Sequence, residues 1–114
     1  MTIYKAVIQL SASNTKTQKS LITQLNNIKN AIEHIEIEVV VHGDGLTLLY
    51  LENKYNEQLK KLHEQDVHFL VCQNTLLAKQ ITTESLLPFC NVIPSALAHI
   101  IVRQSEGWSY IKAG

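Results

Sequence analysis

The chain has 114 residues, 46% of them hydrophobic, and its ten basic and ten acidic side chains leave a formal net charge of zero. That length and apolar content suffice for one domain with its own core and without metal or disulfide staples. The charge balance, with no block of lysine or arginine, excludes the electrostatic footprint of a nucleic-acid binder and leaves small ligands or other proteins as partners.

Tyr4 to Leu10 reads as a first strand, entered directly from the first residues. No secretory leader is visible and no apolar run approaches the roughly 20 residues of a membrane helix, so no membrane role is expected and the cytoplasm is the expected compartment. Ser11-Ala12-Ser13-Asn14-Thr15 then offers several helix N-caps. Leu21, Leu25, Ile28 and Ile32 follow at i, i+4, i+7 and i+11, the stripe of a helix lying on a sheet. Ile35 to His42 is a second strand, with Ile35, Ile37, Val39 and Val41 on one face, Glu36 and Glu38 on the other, and Val40 making its end apolar on both sides. It runs into His42-Gly43-Asp44-Gly45, whose glycines permit a positive φ or a close backbone approach to a ligand. Leu46 to Leu51 starts helical and breaks near Asn53; a helix then carries Tyr55, Leu59 and Leu62 on one stripe.

The next segment, Val67 to Cys72, has Val67, Phe69 and Val71 on one side and Leu70 and Cys72 on the other, the two-faced apolar pattern of a central parallel strand. Asn74 and Thr75 supply capping side chains for a short helix over Leu76 to Gln80, which places Cys72 just before a helix N-terminus. Ile81 to Phe89 is irregular or helical and is ended by Pro88, and Asn91-Val92-Ile93 is a short strand. Pro94 and Ser95 open a helix running to about Ser105, with Gly107 beyond its end. Its Ala96-Leu97-Ala98 and Ile100-Ile101-Val102 are apolar almost all round, wider than one sheet-facing stripe requires, so part of it is expected to meet another subunit. Trp108 to Lys112 alternates as a last strand.

Strands alternating with helices through short connections predict an α/β fold: a mainly parallel sheet of about five strands between helix layers. Ligands of such sheets bind beyond the carboxyl ends of the strands. Those ends collect Ser11, Ser13 and Asn14, then His42, Gly43 and Asp44, then Cys72 and Asn74, then Pro94 and Ser95 on one rim.

Cys72 is the sharpest chemical candidate on that rim. A thiolate at a helix N-terminus can attack a sulfane sulfur or another electrophile, whereas a cysteine in an apolar run is equally at home as core. His42 could help ionise Cys72 or steady an anion, although a hydrogen-bonded structural histidine is the commoner outcome. Asp44 between two glycines reads as a turn former, and His99, on an otherwise apolar helix, as a satisfied buried histidine or an interface residue. His34, His63 and His68 fall near strand entries and read as surface. Cys72 and Cys90 are expected as free thiols, because the exit of one strand and the entry of its neighbour lie roughly 10 Å or more apart, beyond disulfide reach. No metal-ligand spacing, dinucleotide loop or P-loop lysine occurs, so no metal or cofactor is implied.

Val39-Val40-Val41-His42-Gly43-Asp44-Gly45, Val67-His68-Phe69-Leu70-Val71-Cys72-Gln73-Asn74-Thr75-Leu76, Val92-Ile93-Pro94-Ser95 and Glu106-Gly107-Trp108-Ser109-Tyr110-Ile111 together resemble the DsrE/DsrF-like family, in its YchN-like branch. The resemblance implies a three-layer α/β/α sandwich that assembles into homotrimers or hexamers. It also implies sulfur transfer through a persulfide-carrying cysteine, by motif position Cys72, with a protein sulfur donor or acceptor as partner. Where the family often has glycine before the central strand, this chain has Asp66. Three readings follow. The first is a sulfurtransferase-like relay on Cys72 supported by His42, Gly43, Asn74, Thr75 and Ser95. The others are a non-catalytic binding module with Cys72 structural, and a scaffold built on the Leu97 to Val102 helix.

Overall fold

The computed structural model describes residues 2–114. Strands β1 (Tyr4–Leu10), β2 (Ile35–Val41), β3 (Val67–Cys72), β4 (Asn91–Ile93) and β5 (Ser109–Ala113) form one sheet in the order β4-β3-β2-β1-β5, every pairing parallel. Helices α1 (Thr15–Ala31), α2 (Asn56–His63), α3 (Gln73–Lys79) and α4 (Ala96–Ser105) connect them, with 3-10 turns at Gly43–Leu49 and Thr83–Ser85. The sheet and its helices make the α/β sandwich that the alternating pattern predicts.

Strand order decides which face each helix covers. From β1 to β4 the chain steps steadily in one direction, and right-handed crossovers put α1, α2 and α3 on one face. From β4 it must return across three strands to pair β5 with β1, and the same handedness puts α4 on the opposite face.

The two faces therefore hold two cores of unequal size. The larger combines Ala6, Ile8 and Leu10, Ile37, Val39 and Val41, and Val67, Phe69 and Val71 with Leu21, Leu25, Leu59, Leu62 and Leu76 of the three helices. The smaller consists of Val7, Val40, Leu70, Cys72, Ala96, Ile100 and Trp108 beneath α4. Leu97, Ile101 and Val102 on the outer side of α4 are 58%, 64% and 53% exposed.

Several boundaries differ from the sequence reading for local reasons. Asn14, one of the N-caps offered by its polar turn, does cap α1 as expected, accepting from the Thr17 N–H at 2.7 Å. The second strand ends at Val41, and the following 3-10 turn starts at Gly43 rather than at Leu46, because Gly43 takes a φ of +56°. Gly45 lies so close to β1 that a Cβ there would sit 2.7 Å from the Leu10 carbonyl oxygen. The close approach expected of this motif is thus made to the chain's own backbone. α4 begins at Ala96, with Ser95 as its N-cap accepting from the Ala98 N–H at 3.3 Å, so Pro94 lies outside the helix. Asp66, just before β3, holds a left-handed φ of 67°.

Candidate functional site

The loops leaving β3 and β4 diverge, α3 going to one face and α4 to the other. At such a switch the carboxyl ends of two adjacent strands open a crevice with a helix N-terminus on each side. Cys72, the last residue of β3, sits at that point. It is itself the N-cap of α3, with φ −74° and ψ 119°, and its Sγ accepts from the Ala96 N–H, the first of α4, at 3.3 Å. The N–H groups of Asn74 and Thr75 in the first turn of α3 and the Thr75 hydroxyl also face the sulfur. N–H groups in a first turn have no intrahelical partner, so the sulfur collects donors that would otherwise be orphaned.

The electrostatic outcome follows from opposing effects. Burial pushes the Cys72 thiol up, since the residue is only 5% exposed, but the Ala96, Thr75 and Asn74 donors outweigh it and hold the thiol below its ordinary value. Cys90 has no such donors, and burial alone pushes its thiol up to about 12. The two cysteines are both free thiols, as expected.

His42 follows Val41 in extended conformation, and the register that pairs Val41 with Val71 brings it level with Cys72 on the adjacent strand. Its ring is held from the other side. The Tyr110 hydroxyl donates to Gln9 Oε1, and Gln9 Nε2 donates to His42 Nε2 at 2.8 Å, which leaves the ring proton on Nδ1. Burial lowers the proton affinity of His42, consistent with a neutral acceptor ring. Gly43 donates its N–H to Thr75 Oγ1 at 2.9 Å, tying the turn after β2 to the first turn of α3. Asp44 is an exposed turn residue paired with Lys79 Nζ at 2.9 Å.

The structure thus brings Cys72, Thr75, Gly43 and the start of α4 together, with His42 beside them. It corrects the capping roles expected of Asn74 and Thr75: both lie inside α3, because Cys72 is already its N-cap. Asn74 contributes its backbone N–H while its side chain is exposed, and Thr75 acts as a bridge. Ser95 caps α4 and so positions the Ala96 N–H without itself touching the sulfur. Concavities lie elsewhere. One of about 440 Å³ is lined by Asn26 and Asn27 of α1 and Gln58 and Lys61 of α2, one of about 400 Å³ at the amino ends of the strands is lined by Lys29, Glu33, His34, Glu36 and His68, and one of about 330 Å³ opens between α1 and the free edge of β5. Among the described residues no group of three or more His, Cys, Asp or Glu side chains is placed to hold a metal.

A model of the DsrE/DsrF-like family matches residues 4–113. The chain belongs to the DsrE/DsrF-like family. None of the curated proteins matches it in sequence. Among solved structures, this DsrE/DsrF-like chain is similar to a protein of unknown function, MTH1491, from Methanobacterium thermoautotrophicum, at 32% identity and a TM-score of 0.92, covering 96% of this chain and 98% of that one. A conserved protein of unknown function from Bacteroides thetaiotaomicron, BT1422, shares 14% identity at a TM-score of 0.76, over 95% of this chain and 93% of that one. The ychN protein of E. coli shares 10% identity at a TM-score of 0.75, over 97% of this chain and 99% of that one. The last two show a shared fold, in line with the YchN-like branch of the family.

Sequence reasoning about this DsrE/DsrF-like chain missed one cluster. Glu38, read as the polar side of a strand wet at its start, is only 6% exposed and accepts from Arg103 and His99 of α4. The signal was present: His99 and Arg103 are four apart on a helix that must cover the face of β2 carrying Glu38. His63 also departs from a plain surface reading, since its ring stacks on Phe89 with centroids 4.8 Å apart.

Proposed function

We propose that this protein is a sulfurtransferase-like relay that carries sulfane sulfur as a persulfide on Cys72. The observation that carries this reading is the convergence of two helix N-termini on one sulfur at the carboxyl rim of the sheet, an arrangement that favours thiolate over thiol. The Cys72 thiolate attacks the outer sulfur of a donor persulfide or polysulfide. A Cys72 S–S bond forms, the donor S–S bond breaks, and the donor leaves as a thiolate with the bonding electron pair, so no net oxidant is consumed. Transfer onward is the same exchange, with an acceptor thiolate attacking the outer sulfur and Cys72 leaving. The donors that stabilise the attacking thiolate stabilise the leaving one equally. The acceptor is a second protein thiol presented at the rim, and no cofactor takes part.

The exposed Leu97, Ile101 and Val102 face of α4 supports a homotrimer or hexamer as the working form. Analytical ultracentrifugation is expected to give a multiple of the chain mass, and Leu97→Glu combined with Ile101→Glu is expected to give monomers. A monomeric wild type would remove the assembly from the proposal.

Incubation with inorganic polysulfide, followed by mass spectrometry without reductant, is expected to show added sulfur on Cys72 in the wild type and in Cys90→Ser but not in Cys72→Ser. A Cys72 that stays unmodified in both cysteine-containing proteins would sink the relay. The near-complete burial of Cys72 favours a second reading, a non-catalytic binding module in which the cysteine only lines the crevice. In that case Cys72→Ser keeps partner binding intact.

A further inference from the structure

Cys72 receives one of its hydrogen bonds from a helix that reaches it only through its first N–H. The sheet-facing stripe of α4 is Ala96, His99, Ile100 and Arg103, at i, i+3, i+4 and i+7. Ala96 and Ile100 make apolar contacts in the smaller core, and the outer residues Leu97, Ile101 and Val102 give no anchorage within the chain. The remaining attachment is polar. Glu38, midway along β2, accepts from Arg103 Nε at 2.8 Å and from Nη2 at 2.9 Å, one carboxylate oxygen each, and from His99 Nε2 at 2.6 Å.

The surroundings keep this link in a single geometry. The Arg103 guanidinium lies 4.6 Å over the Trp108 ring, and its Nη1 reaches Glu106 Oε1 at 2.8 Å. Lys5 approaches the same ring at 5.7 Å, and the cross-strand neighbours of Glu38 are Val7 on β1 and His68 on β3. Apolar contacts such as those of Ala96 and Ile100 tolerate sliding and rolling, whereas a two-pronged guanidinium–carboxylate pair fixes both depth and roll. A slide by one residue's rise, about 1.5 Å, is enough to carry the Ala96 N–H away from the sulfur it now meets.

We infer that Glu38, Arg103 and His99 are positioning residues for Cys72, holding α4 at the depth and roll that keep the Ala96 N–H on Sγ. A charge pair in the middle of the sheet thereby sets the state of a thiol at its rim. The consequence for sulfur transfer rests on the reading of Cys72 given above, but the thiol chemistry itself does not.

The test is the pH profile of Cys72 alkylation by iodoacetamide in a Cys90→Ser background. Glu38→Gln weakens the pair, and Arg103→Lys keeps the charge but loses the fork. Ile22→Val, in the core on the other face, serves as a control that lowers stability without touching α4. Glu38→Gln and Arg103→Lys are expected to move the profile to higher pH and slow alkylation at neutral pH about three- to tenfold, part of what a hydrogen bond to a charged group is worth. Ile22→Val is expected to leave the profile in place. Profiles that coincide with wild type in the folded variants would overturn the inference, as would an equal displacement in Ile22→Val. Should Glu38→Gln fail to fold, Arg103→Lys decides alone. A displaced profile in a protein that takes up no polysulfide sulfur would leave the positioning role standing and remove the relay.

Discussion

The Thr75 hydroxyl accepts from the Gly43 N–H and faces Cys72 Sγ, so removing it acts on the turn and on the thiol together. Thr75→Val keeps the shape of the side chain but deletes the oxygen. It is expected to cost about 1 kcal/mol in urea unfolding, the worth of one hydrogen bond, and to shift Cys72 alkylation to higher pH, while Thr75→Ser retains both properties. An unchanged alkylation profile in Thr75→Val would mean that the backbone donors alone set the thiol. His42 differs from Thr75 in kind. With Nε2 occupied by Gln9 and its proton affinity lowered by burial, the ring is a neutral neighbour on the adjacent strand, and the donors to the sulfur are Thr75 and the peptide N–H groups.

At the level of elements, the junctions carry most of the information. β3 passes into α3 with no intervening residue, because Cys72 is both the end of the strand and the cap of the helix. That economy is what orients its side chain toward the α4 face, as the alternation from Leu70 requires. At the other end of β3, Asp66 occupies a left-handed conformation that strains a side chain bearing a Cβ and that glycine adopts freely. Asp66→Gly is therefore expected to stabilise the protein by about 0.5 kcal/mol, relief of strain partly offset by the greater flexibility of glycine in the unfolded chain. Chemical denaturation measures it, and a loss of stability would show that the Asp66 side chain contributes more than its strain costs.

Across the whole molecule, the pairing of Glu38 with α4 ties stability to pH. Burial raises the affinity of this carboxyl for a proton, but Arg103 and His99 more than compensate, so Glu38 ionises more readily in the folded state than in the unfolded chain. The unfolded state then binds more protons in the carboxylate range. The stability contributed by the pair is complete above the unfolded value, about 4.3 for a glutamate, and is lost as pH falls through the lower folded value. Glu38→Gln is expected to lower stability at neutral pH and to flatten the acid limb of a plot of unfolding free energy against pH. An acid limb as steep as that of the wild type would assign the acid sensitivity to other groups. Among the described residues no helix is long and apolar enough to cross a membrane.

The amino-acid sequence by itself determined the five strands, their parallel arrangement and the rim that holds Cys72. Each of these depends on local pattern: period-two alternation in Ile35 to Val41, the two-faced apolar run of Val67 to Cys72, and capping residues such as Asn14 and Ser95. Only the tertiary structure decided that a second helix N-terminus would meet the sulfur, because that requires α4 to cross the sheet on the face opposite α3, a consequence of strand order. It also decided that Glu38, outwardly the wet side of a strand, would be buried under Arg103, 65 residues away. The spacing of His99 and Arg103 marks one face of α4, but nothing local to either segment says which strand that face will cover, and the charge of Glu38 argued for solvent until the helix carrying its partners was in place.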